Sequence, residues 1–163
     1  MKKMFVIVAA AVCGVSLLAV ESKRIVITQE IDNAVGALVS ECKLRFEEDT
    51  LEAMRSALSD GKMLLKHGLS LQRRGMKVDQ LQNDQKLLVL SQKFSVAVNE
   101  LGGKIFEDLQ LNPDSDAMLD EIAFLNDGMN EILSKLDFET MNDLQRGDLM
   151  LLLADCALKH LDN

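Results

Sequence analysis

The chain has 163 residues, enough for one domain with a real core, and a formal net charge of −8. That acidity repels phosphate backbones, no basic stripe interrupts it, and nucleic acid is therefore not an expected partner. Trp and Tyr are absent and the 4% aromatic content is all Phe, which also counts against sugar- and base-stacking sites.

The chain opens on Met1-Lys2-Lys3, then an uncharged apolar run from Met4 to Val20, then Glu21-Ser22-Lys23-Arg24. A cationic start, an apolar core and a return to polar chain make an export signal. The run falls just short of the roughly 20 apolar residues that span a bilayer core. Residues 1–22 are expected to be a signal peptide, or alternatively an N-terminal membrane anchor with Lys2 and Lys3 left in the cytoplasm. Residues 23–163 are expected to form a single all-helical domain outside the cytoplasm. The expected location is periplasmic or secreted in a bacterium, or anchored in the inner membrane with the C-terminal domain outside.

One proline and few β-branched residues beyond residue 40 point to helix throughout. Over 24–47, Ile27, Ile31, Val35, Leu38, Cys42 and Phe46 recur every three or four residues, one face of a helix. Asp49-Thr50-Leu51-Glu52 reads as a capping box. The next apolar face, Leu51, Met54, Leu58, Leu65 and Leu69, runs to Arg74, and Gly75 supplies the stop. The basic knot Arg73-Arg74 belongs to that helix end, where cations meet exposed carbonyls.

Asp79 with Gln82 suits the cap of a following helix. Its stripe is Leu87, Leu90, Phe94, Val98, Leu101 and Ile105, with Gly102-Gly103 as a bend or end. Asn112-Pro113-Asp114-Ser115 is the clearest turn. Met118, Ile122, Leu125, Met129, Ile132 and Leu136 follow as a heptad-like stripe. The last helix is expected from Thr140 to Leu161, with Thr140 and Asp143 as its cap pair. Its run Leu149 to Ala154 is apolar all round, which suits a central helix. The fold class is all-α, an antiparallel four- to five-helix bundle behind an N-terminal hydrophobic export segment.

Chemistry-bearing residues are sparse. Cys42 and Cys156 would remain after signal removal, and an even pair in an oxidising compartment suggests a disulfide between the first and last helices. No C-x-x-C spacing occurs, so no metal site is expected. His67 and His160 lie beside lysines near helix C-termini, where a cation suits the dipole. Asp114-Ser115-Asp116 has Leu119 and Leu125 where a calcium-binding EF-hand loop needs Gly and Glu. No nucleophile–base set can be assembled, and no catalytic residue is nominated.

Met54 after Leu51-Glu52-Ala53, Pro113-Asp114-Ser115 with Met118, and His160 near the end are similar in order to small exported four-helix b-type cytochromes. That resemblance implies haem between Met54 and His160. It leaves helix 25–46 as an addition, and the aromatic and Arg companions of the His are missing. No cofactor is expected.

The expected function is therefore non-catalytic: an exported helical protein that binds another protein in the cell envelope, of immunity, adaptor or chaperone type. Its partner would be basic, or a second copy of itself. A membrane-anchored structural or phage lysis component and a small haem carrier are the alternatives.

Overall fold

A computed structural model describes residues 26–109, 123–136 and 138–163. The expected export segment, the expected Asn112-Pro113 turn and the start of the stripe after it lie outside the described residues. All regular structure among the described residues is helical.

Helix α1 spans Gln29–Arg45. Thr28 caps it in an extended conformation, and its hydroxyl accepts from the Ile31 amide at 3.3 Å. Glu30 and Asp32 in the first turn, and Lys43 and Arg45 in the last, complement the helix dipole. Ile31, Val35, Val39 and Cys42 are its buried stripe, with Val39 more deeply placed than the expected Leu38.

Helix α2 spans Glu48–Arg73 and begins earlier than its capping-box sequence suggests. Glu47 is the cap, while Asp49 stands exposed inside the first turn. Tertiary packing explains the shift. The Glu47 amide is taken by the Asp108 carboxylate from a distant helix at 2.8 Å, and the Glu47 carbonyl accepts from the Thr50 and Leu51 amides. The other end is as expected. Gly75 sits at φ +82°, its amide bonding Gln72 O at 2.8 Å and that of Met76 bonding Leu71 O at 3.2 Å. This is a Schellman closure, which favours glycine at the left-handed position.

The short helix α3, Val78–Leu81, takes up the region where Asp79 was expected to cap a long helix. That long helix, α4, spans Gln85–Asp108 and is capped instead by Asp84, whose carboxylate accepts from the Leu87 amide at 2.8 Å. Gly102 and Gly103 lie within α4 without ending it. Helix α5 is described over Ala123–Ser134, a 3-10 turn covers Phe138–Thr140, and α6 spans Asp143–Asp162. The cap of α6 is Asn142, in a reciprocal box with Gln145 at 3.0 and 2.9 Å, rather than Thr140 with Asp143. An Asn with Gln three residues on satisfies two orphan amides at once.

Cross-helix contacts set the order α4–α2–α6–α1–α5. Helices α2 and α4 run antiparallel: Asp49 meets Lys104 at 3.6 Å, Asp60 meets Lys93 at 2.9 Å, and His67 meets Asp84 at 2.9 Å. Helices α2 and α6 are also antiparallel, joined by Arg55–Asp162 at 3.4 Å, Lys62–Asp155 and Arg73–Asp148. Helices α1 and α5 follow suit, with Phe46 on Phe124 at one end and Glu30–Lys135 at 3.1 Å at the other. Helices α1 and α6 depart from the antiparallel expectation. Asp32 contacts Cys156, and Gly36, one turn on, contacts His160, so these two run parallel. No short hairpin joins them, and their relative direction is free to follow packing.

The core is built mainly where α1, α2 and α6 meet, with Ile31, Val35, Val39, Leu51, Leu149, Leu153 and Leu161. The interior position of α6 agrees with its apolar run. Among the described residues one buried side-chain polar atom is out of balance: Thr50 is 1% exposed and its hydroxyl has no hydrogen-bond partner. Burying a hydroxyl without a partner costs free energy that an isosteric methyl avoids. Thr50→Val is accordingly expected to raise stability by about 1 kcal/mol in urea denaturation.

Candidate functional site

Two features of the folded chain are more than structural filler. The first is the outer face of α4. Its inner face, through Leu87, Leu90, Phe94, Ala97, Leu101 and Ile105, packs chiefly on α2. The opposite face carries Gln85, Val89, Gln92, Val96, Asn99 and Gly103, all exposed. These alternate at spacings of four and three, the repeat of a coiled-coil seam. Val89 is 62% and Val96 65% exposed, and Leu88 beside them is 49% exposed. Gly103 completes the stripe, and a Cβ there would meet nothing within 4 Å. A mid-helix glycine costs roughly 1 kcal/mol relative to Ala, and nothing within the described residues needs this one small. Lys86, Lys93 and Glu100 form one flank at heptad spacing. Lys93 is already paired with Asp60.

The second feature is a polar cluster between α1 and α6. Oδ1 of Asp32 accepts from the Cys156 thiol at 3.1 Å, lies 3.3 Å from His160 Nε2, and is 3.7 Å from Lys159 Nζ. Cys156 and His160 share one face of α6 because they stand four residues apart. Gly36 makes room for the imidazole, since a Cβ there would lie 2.8 Å from His160 Cε1. Lys43 adds a bond to the His160 carbonyl at 2.9 Å. The Cys156 thiol, followed by Lys159 and His160, holds the Asp32 carboxyl below its ordinary value against the opposing effect of burial. Burial, reinforced by the hydrogen bond and the charge of Asp32, pushes the Cys156 thiol up to about 11. A thiol with so little thiolate is a poor nucleophile at neutral pH, and His160 faces the carboxylate rather than standing between acid and sulfur. The arrangement therefore lacks the order of a nucleophilic triad. Among the described residues these three are the one group of His, Cys and carboxylate side chains whose ligand atoms all lie within 4.8 Å of one another.

The residues singled out from sequence fall in different places. Cys42 and Cys156 are both buried free thiols, and the expected disulfide is not formed. Their register explains this. Cys156 lies level with Asp32, and Cys42 is ten residues further along α1, about 15 Å of helix axis and well beyond the roughly 7 Å that a disulfide bridges. Met54 packs against the apolar core, whereas His160 is turned toward Asp32 and Gly36. His67 lies against Asp84, the α4 cap, and ties α2 to the start of α4. Asp32 and the α4 seam escaped the sequence reading. Asp32 is separated from its partners by most of the chain. The seam was legible as a second heptad on α4, masked by the stronger Leu/Phe stripe.

Comparison with protein-family models, curated proteins and solved structures returns no match. Among the described residues no helix is long and apolar enough to cross a membrane.

Proposed function

We propose that this chain is a non-catalytic helical bundle, exported to the cell envelope, that works by protein–protein contact through the outer face of α4. The observation that carries this reading is the exposed heptad seam centred on Val89 and Val96. Leu88, Val89 and Val96, exposed large apolar side chains grouped on one helix, mark that face as an interaction surface. The occupant that fits it is a second copy of the chain. In an antiparallel pair of α4 helices centred near Gln92, like flanks meet, so Lys86 of each copy faces Glu100 of the other. The pairing of Lys93 with its own Asp60 lowers the repulsion where the two Lys93 residues approach. Gln85, Gln92 and Asn99, the amides in the seam, would set its register and keep the association reversible. The chain's net charge of −8 does not select another partner for this face, because the seam itself is not acidic.

Sedimentation equilibrium of the purified protein tests the reading. A concentration-dependent dimer is expected, shifted toward monomer by Val96→Glu and by Lys86→Glu, and restored by Lys86→Glu combined with Glu100→Lys. Val96 is exposed, so its substitution should leave the folded monomer intact. A monomer at every concentration, or a dimer indifferent to Val96→Glu, overturns it. The intact mass of protein from the envelope fraction separates a cleaved, exported chain from one retained as a membrane anchor.

A further inference from the structure

We propose that Asp32, Cys156 and His160 form a three-residue site for a divalent transition-metal ion, with zinc as the ion its chemistry suits. One carboxylate, one thiolate and one imidazole make a mixed O/S/N set of borderline softness, the range from which zinc ligands are drawn. Oδ1 of Asp32 lies 3.1 Å from the sulfur and 3.3 Å from Nε2 of His160, close to the separations between neighbouring corners of a zinc tetrahedron. The ion would replace hydrogen bonds with metal bonds and demand little backbone movement. Two of the ligands sit on consecutive turns of α6, and the third comes from the helix packed parallel to it.

Gly36 belongs to this argument. It stands one turn beyond Asp32 on α1, and any larger residue would press on the imidazole at 2.8 Å. The Lys43 bond to the His160 carbonyl steadies the end of α6 next to the ligand. As the sulfur–metal bond forms, the Cys156 proton passes to solvent. The two negative charges of thiolate and carboxylate then balance the dication. Lys159 reaches Asp32 only at 3.7 Å on a largely exposed side chain, so it can swing into solvent as the ion arrives. Three protein ligands leave a fourth position for water, the pattern of an open zinc site. A local motif search cannot find this set, because Asp32 and Cys156 are 124 residues apart; the sequence-based expectation of no metal site rested on such spacing alone. This inference is independent of the α4 seam.

Cobalt(II) added to the reduced full-length protein is the test, with zinc used to displace it. The expected result is one ion per chain, a near-ultraviolet thiolate-to-cobalt charge-transfer band, and the intense visible bands of tetrahedral cobalt. Cys156→Ser should abolish the charge-transfer band, whereas Cys42→Ser and Cys13→Ser should leave it unchanged. His160→Ala and Asp32→Asn should each weaken cobalt binding by about 10-fold or more, and Gly36→Ala should weaken it while keeping the band. Failure of the reduced wild-type protein to develop the band would falsify the proposal without recourse to any variant. A band that survives Cys156→Ser, or that disappears with Cys42→Ser or Cys13→Ser, overturns it as well.

Discussion

In the folded protein both described thiols should be alkylated by iodoacetamide at pH 8 about 100-fold more slowly than in the unfolded chain, without any reductant present. Burial, with a further contribution from the Glu41 charge, pushes Cys42 from an ordinary value near 9 up to about 11. Cys156 reaches about 11 through burial and Asp32. A shift of that size cuts the thiolate fraction at pH 8 by about 100-fold, and steric burial slows the reaction further. In denaturant without reductant, peptide mapping should find both cysteines fully labelled. Labelling that requires prior reduction would mean that a disulfide forms in the native compartment. The same shift gives Cys42 an alkaline signature. Its folded pKa lies above its unfolded one, so its contribution to stability is complete below about pH 9 and is lost as pH rises toward 11. Cys42→Ala should flatten that part of the stability–pH profile. A profile unchanged between pH 9 and 11 would count against the burial of this thiol.

Leu149→Ala is expected to destabilise the fold by about 2–5 kcal/mol, the range for deleting a leucine side chain at a core site that cannot collapse. Leu149 is 0% exposed and sits on α6, the helix that packs against both α1 and α2. A cavity there loosens two interfaces at once, because α1 and α2 touch each other far less than either touches α6. Leu144, on the same helix but 37% exposed, supplies the control, and its alanine variant should cost under about 1 kcal/mol. Urea midpoints and slopes for the two variants decide the matter. Equal effects would mean that α6 is not the central helix.

Local sequence determined the helices and a few of their ends, chiefly the stop of α2 at Gly75. The spacing of Ile31, Val35 and Cys42, the glycine at 75 and the apolar run in α6 each encode a property of a single helix: its buried face, its stop and its interior position. Such features depend on neighbours within a turn or two, so they are legible in the chain. Caps that depend on rivals were less so. Asp84 lay behind Asp79, and Glu47 became a cap through a carboxylate contributed by Asp108.

Only the tertiary structure decided which helix faces meet. The parallel pairing of α1 with α6 set Cys156 beside Asp32 and left Cys42 about 15 Å along the axis, which turned an expected disulfide into two separate thiols. The same pairing assembled Asp32, Cys156 and His160. Packing α4 on α2 by one face left Val89 and Val96 outward. Periodicity along a chain shows that a helix has an apolar face. It carries no information about which distant helix covers that face, because that choice is made by the fit of side chains the sequence does not place side by side.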